Sequence, residues 1–228
     1  MRFYFARQKF YRLFWSKEKF ELEAQKKRAR EMAFPEIKEK VKEYYYKFRF
    51  LQDIIDETKI NNNSKILDIG CGIKSVLHFL PGKLKVGIDP LADEYKKIYN
   101  YPSDLVIQKS YGENIGYSDN FFDIVFITNA LDHTRNPKEA INEVWRILKD
   151  NGYLIIVNEL VKDIRKRDRA HPHNLEEDDI LSLIANNFKV IFKKYSSWIG
   201  IRQYYLGQSE PETKDLENKQ LTILGQKT

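Results

Sequence analysis

Five short apolar runs, KILDIG, LKVGID, LVIQKS, FDIVFIT and YLIIVNEL, constrain the fold of this 228-residue chain more than any other feature. Each is about as long as a strand and apolar at both alternating sets of positions, the pattern of a strand covered on two faces in a parallel sheet. Helical segments fall between them. One covers 74–80, another 93–99, and the third is NPKEAINEVWRILKD, in which Ala140, Val144, Ile147 and Leu148 share one face. Pro137 stands at its start and Asn151-Gly152 after its end, as helix termini favour. Strand alternating with helix predicts an α/β chain. The polar cluster NNNS at 61–64 marks where that domain begins.

Residues 1–60 read as a separate N-terminal helical extension, leaving 61–228 as the main domain. Two helices meet near AFPE, around Pro35, and a third runs through FRFLQDIIDE. The first 50 residues hold 15 Lys or Arg against 7 Glu, whereas the remainder holds 24 basic and 26 acidic groups. The net charge of +6 therefore belongs to the extension. Its mixture of aromatics and cations suits a membrane surface or nucleic acid, as well as packing on the domain. At the other end, NLEEDDILSLIANN reads as a helix opened by Asn174 with Glu177 three residues later. FKVIFKKY and LTILGQK read as a hairpin-like pair carrying an insertion of about 25 residues.

A single cysteine, Cys71, excludes an intrachain disulfide framework and a cysteine-based zinc site, and fits a reducing, cytoplasmic setting. No run approaches the roughly 18 to 20 apolar residues of a membrane span. The N-terminal MRFYFARQKFYRLFW is too often broken by Arg and Lys for a signal-peptide core. His171 and His173 stand next to the acidic run at 176–179 but read as a loop entering a helix start, so no metal site is expected.

The chemistry is concentrated in KILDIGCGIKS. Gly70 and Gly72 follow a buried strand, where a doubly wound fold lets a ligand approach the backbone, and glycine tolerates positive φ there. Asp89, ending the next strand nineteen residues after Gly70, suits the two hydroxyls of a ribose. A dinucleotide fingerprint needs a third glycine, but Ser75 occupies its place. Asp68 would also oppose a pyrophosphate. A cationic nucleoside ligand fits both carboxylates better.

With LDIGCG, GID and the stretch SYGENIGYSDNFFDIVFITNALDHTRNPKEAINEVWRILKDNGYLIIV, residues from about 64 to 157 resemble the class I S-adenosylmethionine-dependent methyltransferases, type 11 subfamily. The resemblance implies a Rossmann-like fold: a mostly parallel seven-stranded sheet with an antiparallel C-terminal strand, helices on both faces, and N-terminal helices over the cofactor cleft. It implies S-adenosylmethionine as cofactor and S-adenosylhomocysteine as product. Asp68, Gly70, Cys71 and Gly72 would then hold its methionine part and Asp89 the ribose. Pro90 and Leu91 would pack on adenine, Glu113 and Asn114 would read its edge, and Asn129 and Ala130 would lie beside the methionyl group. His133 matches a histidine common in the subfamily and is the candidate base.

The acceptor is expected to be a small or medium molecule, with a glycan, lipid-linked or other metabolite hydroxyl preferred. Trp198, Arg202 and Tyr204 in the C-terminal insertion suit a ring or sugar bearing an anionic group. His171 and His173 are lesser substrate-site candidates. RNA methylation through the basic extension, and a cofactor-binding regulator without turnover, are the competing readings.

Overall fold

The computed structural model describes residues 16–161, 172–197, 204, 207 and 218–228. Three helices precede the sheet: α1 (Lys17–Met32), α2 (Pro35–Phe48) and α3 (Leu51–Thr58). The Ser16 hydroxyl caps α1 by accepting the Lys19 N–H at 3.3 Å, and Pro35 opens α2, where its missing N–H costs nothing. The sheet elements follow as β1 (Lys65–Ile69), β2 (Leu84–Asp89), α4 (Ala92–Ile98), β3 (Leu105–Lys109), β4 (Phe122–Thr128), α5 (Pro137–Ile147), β5 (Leu148–Val161), α6 (Glu177–Ile184), β6 (Phe188–Ser197) and β7 (Asn218–Lys227).

The seven strands lie in the order β3-β2-β1-β4-β5-β7-β6. Neighbours from β3 to β5 pair in parallel, and β7 runs antiparallel between β5 and β6. This is the mostly parallel sheet with an antiparallel C-terminal strand that the resemblance implies. Both faces are covered. Leu67, Ile69, Val125 and Ile127 join a core with Ala140, Val144 and Ile180 of α5 and α6. Ile66, Ile124, Phe126 and Ile155 join the opposite core with Val41, Tyr45, Leu51 and Ile54 of α2 and α3. Each buried Val, Leu, Ile or Phe among them contributes about 1.5–3 kcal/mol. The basic extension and the sheet therefore share one core.

Several elements differ from the sequence reading. β3 is the edge, so only one of its faces is covered and Val106 is 39% exposed. The segment expected to be helical over 74–80 is a 3₁₀ turn, Val76–Phe79. Ser75 ties that turn down, accepting the Leu77 N–H at 3.2 Å while donating to Asp68 at 2.6 Å, and Pro81-Gly82 follows too soon for an α-helix to extend. α5 stops at Ile147, so Leu148, Asn151 and Gly152 belong to β5. The N-cap of α6 is Glu176 instead of Asn174, because Glu176 and Asp179 form a reciprocal capping box.

Candidate functional site

The strand order reverses direction between β1 and β4, the place where an open α/β sheet leaves a crevice at its carboxyl edge. A cavity of about 710 Å³ lies there, a size that takes a small-molecule ligand. Asp68, Gly70, Cys71, Gly72, Asp89, Pro90, Leu91, Glu113, Asn129, Ala130 and His133 all line it. Asn114 does not. It is exposed, with its backbone N–H donated to the Tyr111 carbonyl at 3.2 Å.

The glycines are required by close approach. Gly70 has φ +69, and a Cβ on it would lie 2.4 Å from the Ala130 Cβ at the end of β4. Gly72 has φ +49, and a Cβ there would meet the Gln25 amide at 2.7 Å. Gln25 belongs to α1 and accepts the Ile73 N–H at 3.0 Å, so the extension is fastened to the glycine turn itself. A Lys74–Glu31 ion pair at 2.8 Å fastens it again. Glu18, Glu21, Gln25 and Arg28 form one wall of the cleft. Cys71 turns its buried sulfur towards Gly87, a packing contact.

Both predicted acids are buried. Asp68 accepts the Ser75 hydroxyl with Oδ2, while its Oδ1 has no hydrogen-bond partner. Burial pushes its carboxyl up to about 7, with Asp89 adding to the rise and Ser75 and Arg49 opposing it. Asp89 accepts the Leu91 N–H at 2.9 Å and the Gly72 N–H at 3.3 Å, linking the turns after β1 and β2. Burial raises its carboxyl to about 6 against those two N–H donors. Asn129, at φ +48, donates to Glu159 at 2.8 Å, and its Oδ1 is buried without a partner, as is the neighbouring Thr128 hydroxyl. Buried polar atoms left unmatched at a cleft mark where a polar ligand is expected.

Other candidates are committed elsewhere. The Glu113 carboxylate accepts the N–H groups of Arg135 at 2.6 Å and Asn136 at 3.1 Å, which orients the entry to α5. His133 borders the cleft with its Nε2 4.0 Å from Asp132. His173 meets the Thr134 carbonyl at 2.9 Å and is not a lining residue. Tyr204 packs against Tyr44 and Phe48 of α2, with ring centroids at 5.8 and 5.3 Å, and also lies outside the lining. His171, Trp198 and Arg202 lie outside the described residues. No cluster of three metal-binding side chains occurs among the described residues, and no described helix is long and apolar enough to cross a membrane.

The sequence reading missed Gln25, Ser75, Arg49 and Glu159. Ser75 carried a signal, standing in the glycine motif. Arg49 and Glu159 come from the extension and from the far end of β5, and nothing in their local sequence marks them.

This strand order, with a glycine turn after β1 and an acid ending β2, defines the class I S-adenosylmethionine-dependent methyltransferase fold. Residues 67–156 match the family described as a methyltransferase domain. The chain is 30% identical over 139 residues to the protein MJ1252 of Methanocaldococcus jannaschii, which covers 55% of this chain and 54% of that protein. It spans about half the length of the curated relatives it matches. Among solved structures it resembles YcgJ of Bacillus subtilis, with a TM-score of 0.58 at 19% identity, covering 78% of this chain and 97% of the other. It also resembles the cyclase SpnF, with a TM-score of 0.55 at 18% identity over 78% and 80% of the two chains. These likenesses concern the fold.

Proposed function

We propose that the chain transfers a methyl group from S-adenosylmethionine to a small or medium acceptor, with S-adenosylhomocysteine as the second product. The observation that carries this is the unpartnered Asp68 Oδ1 beside a glycine turn with no room for side chains. A carboxylate in that setting suits an ammonium group, and the turn suits a ligand pressed against backbone. When bound, the cofactor supplies an electrophilic methyl on a sulfonium. The protein's part is then alignment of the acceptor with that methyl.

In this reading Asp68 holds the ammonium, Asp89 accepts the ribose hydroxyls with lone pairs its two backbone donors leave over, and Pro90 and Leu91 pack on adenine. Asn129 and Ala130 flank the methionyl end. His133, on the cleft wall, is placed to take a proton from an acceptor hydroxyl or ammonium. A metabolite, glycan or lipid-linked hydroxyl remains the proposed acceptor class. RNA methylation, through the basic excess of the first 50 residues, is the competing acceptor to be tested.

Incubation with methyl-labelled S-adenosylmethionine and fractionated cell extract tests the proposal. Label should pass to a small or medium species. S-adenosylhomocysteine should bind calorimetrically while NAD does not. Tight NAD binding without S-adenosylhomocysteine binding would overturn the reading, and binding without transfer to any fraction would make the protein a cofactor-dependent regulator.

Asp89→Ala should raise the dissociation constant for S-adenosylhomocysteine at least about tenfold, since charge-assisted hydrogen bonds contribute about 1.5–3 kcal/mol each. It should also lower the melting temperature, because the Leu91 and Gly72 N–H groups lose their acceptor. A folded variant with wild-type affinity would remove the ribose role.

A further inference from the structure

In the proposed reading the cofactor takes the turns after β1, β2 and β4. The cleft is also lined by α1, with Phe20, Glu21 and Ala24, and by residues 133–135, which include the candidate base His133. On the α1 wall the Glu21 carboxylate is held in one orientation. Its Oε1 accepts both the Gln25 Nε2 at 2.8 Å and the Arg28 Nη1 at 3.0 Å. Gln25 is itself fixed, because its own oxygen accepts the Ile73 N–H of the glycine turn at 3.0 Å. The second carboxylate oxygen, Oε2, has no hydrogen-bond or ion-pair partner among the described residues. With the side chain only 25% exposed, that oxygen has lost part of its hydration and gained no donor in return. Burial alone would raise the Glu21 carboxyl, but Arg28, the Gln25 hydrogen bond and His133 hold it below its ordinary value. Its charge in turn adds to the rise that burial causes in Asp89. Glu21 therefore stands within electrostatic reach of the proposed ribose acid and of the candidate base, the stretch of cleft where the proposed reading puts methyl transfer.

We infer that Glu21 selects the acceptor: its Oε2 receives a hydrogen bond from a hydroxyl or ammonium on that molecule, beside the hydroxyl that gives its proton to His133. The acceptor is then neutral or cationic and carries a further donor besides the hydroxyl that is methylated, as a polyol or an amino alcohol does. An anionic acceptor is refused, since its charge would meet the Glu21 carboxylate in a partly dehydrated cleft. That is opposite in sign to the anionic group that Arg202 suits in the sequence. The inference rests on the methyltransferase reading and narrows its acceptor class. Glu21 lies outside residues 67–156, so this specificity comes from the extension. If Glu21 served only to join α1 to the glycine turn through Gln25, a glutamine would do as well, because its amide oxygen accepts the same two donors.

Glu21→Gln therefore separates the two roles. Glutamine keeps the helix and the bonds from Gln25 and Arg28, but it turns an N–H donor towards the acceptor where Oε2 stood. The full chain is incubated with methyl-labelled S-adenosylmethionine and a cell extract split on an anion exchanger. The unaltered protein should label the unretained, neutral and cationic fraction at least about tenfold more than the retained, anionic one. Glu21→Gln should need about 10- to 100-fold more of the unretained fraction for half-maximal rate, the loss expected for one charge-assisted hydrogen bond, with kcat within about threefold. Glu21→Asp, which keeps the charge but withdraws it by one methylene, should fall between. The affinity for S-adenosylhomocysteine, measured by calorimetry, should stay within about twofold in both variants. If Glu21→Gln does not fold, Glu21→Asp and the distribution of label by the unaltered protein decide.

Label in the retained fraction, RNA included, overturns the inference alone. So does an unchanged half-maximal requirement in folded Glu21→Gln. A parallel loss of S-adenosylhomocysteine affinity assigns the carboxylate to the cofactor and likewise overturns it. Binding of S-adenosylhomocysteine with transfer to neither fraction, or no binding at all, defeats the methyltransferase reading and this inference with it.

Discussion

Gly70→Ala is expected to abolish measurable S-adenosylhomocysteine binding and to lower the melting temperature by about 5–10 °C. An alanine there would put its Cβ 2.4 Å from the Ala130 Cβ, where carbon atoms normally stand about 3.5–4.0 Å apart. The opposing atom is no flexible side-chain tip, because Ala130 has only its Cβ, fixed to the backbone at the end of β4. The ends of β1 and β4 must therefore separate, and the cleft lies between them. The left-handed φ of +69 adds about 1–2 kcal/mol for any residue with a Cβ. Together with overpacking this costs about 2–3 kcal/mol, and in a chain of this size each kcal/mol moves the midpoint by about 2–4 °C. Gly116→Ala is the control, since a Cβ there meets nothing within 4 Å. Thermal melts and calorimetry on the three proteins decide, and wild-type values for Gly70→Ala would remove the close-approach account.

What was legible in the sequence follows from how local each determinant is. β1, β2, β4 and β5 were readable because residues such as Ile66, Leu67, Val125 and Ile155 must be apolar on both faces. Gly70 and Asp89 were readable because both stand at strand ends, where topology alone places the crevice. Glu113 illustrates the limit. Its position at the cleft was foreseen, but its carboxylate is taken by N–H groups 22 and 23 residues later, a pairing that no local pattern encodes. Tyr204 shows a related limit, since an aromatic ring in the sequence suits a hydrophobic seat on Tyr44 and Phe48 as well as it suits a substrate. Gln25 and Arg49 were illegible because their roles exist only once α1 and α2 have packed against the sheet.

The affinity for S-adenosylhomocysteine should rise as pH increases towards about 7 and level off above it. Asp68 is the cause: burial lifts its folded-state carboxyl to about 7, whereas an unfolded aspartate ionises near 3.9. A raised folded value means that the native ligand-free protein holds an extra proton between about pH 4 and 7. Its stability therefore declines as pH rises through that window. Ligand binding has the opposite dependence, because only the ionised carboxylate attracts the ammonium, and below the transition a proton must leave first. Each unit below about pH 7 should cost up to about tenfold in affinity. Asp89, raised to about 6, should add a shallower step lower down. Asp68→Asn keeps an oxygen for the Ser75 hydroxyl but removes the charge. It should bind S-adenosylhomocysteine about 10- to 100-fold more weakly at pH 8 and lose the step near pH 7. With no charge left to bury, the ligand-free variant should be at least as stable as the parent at pH 8. Titrations from pH 5.5 to 8.5, in buffers of different ionisation heat, report both affinity and protons released. A flat profile for the parent protein, or the same step in Asp68→Asn, would show that the ammonium is held by some other group.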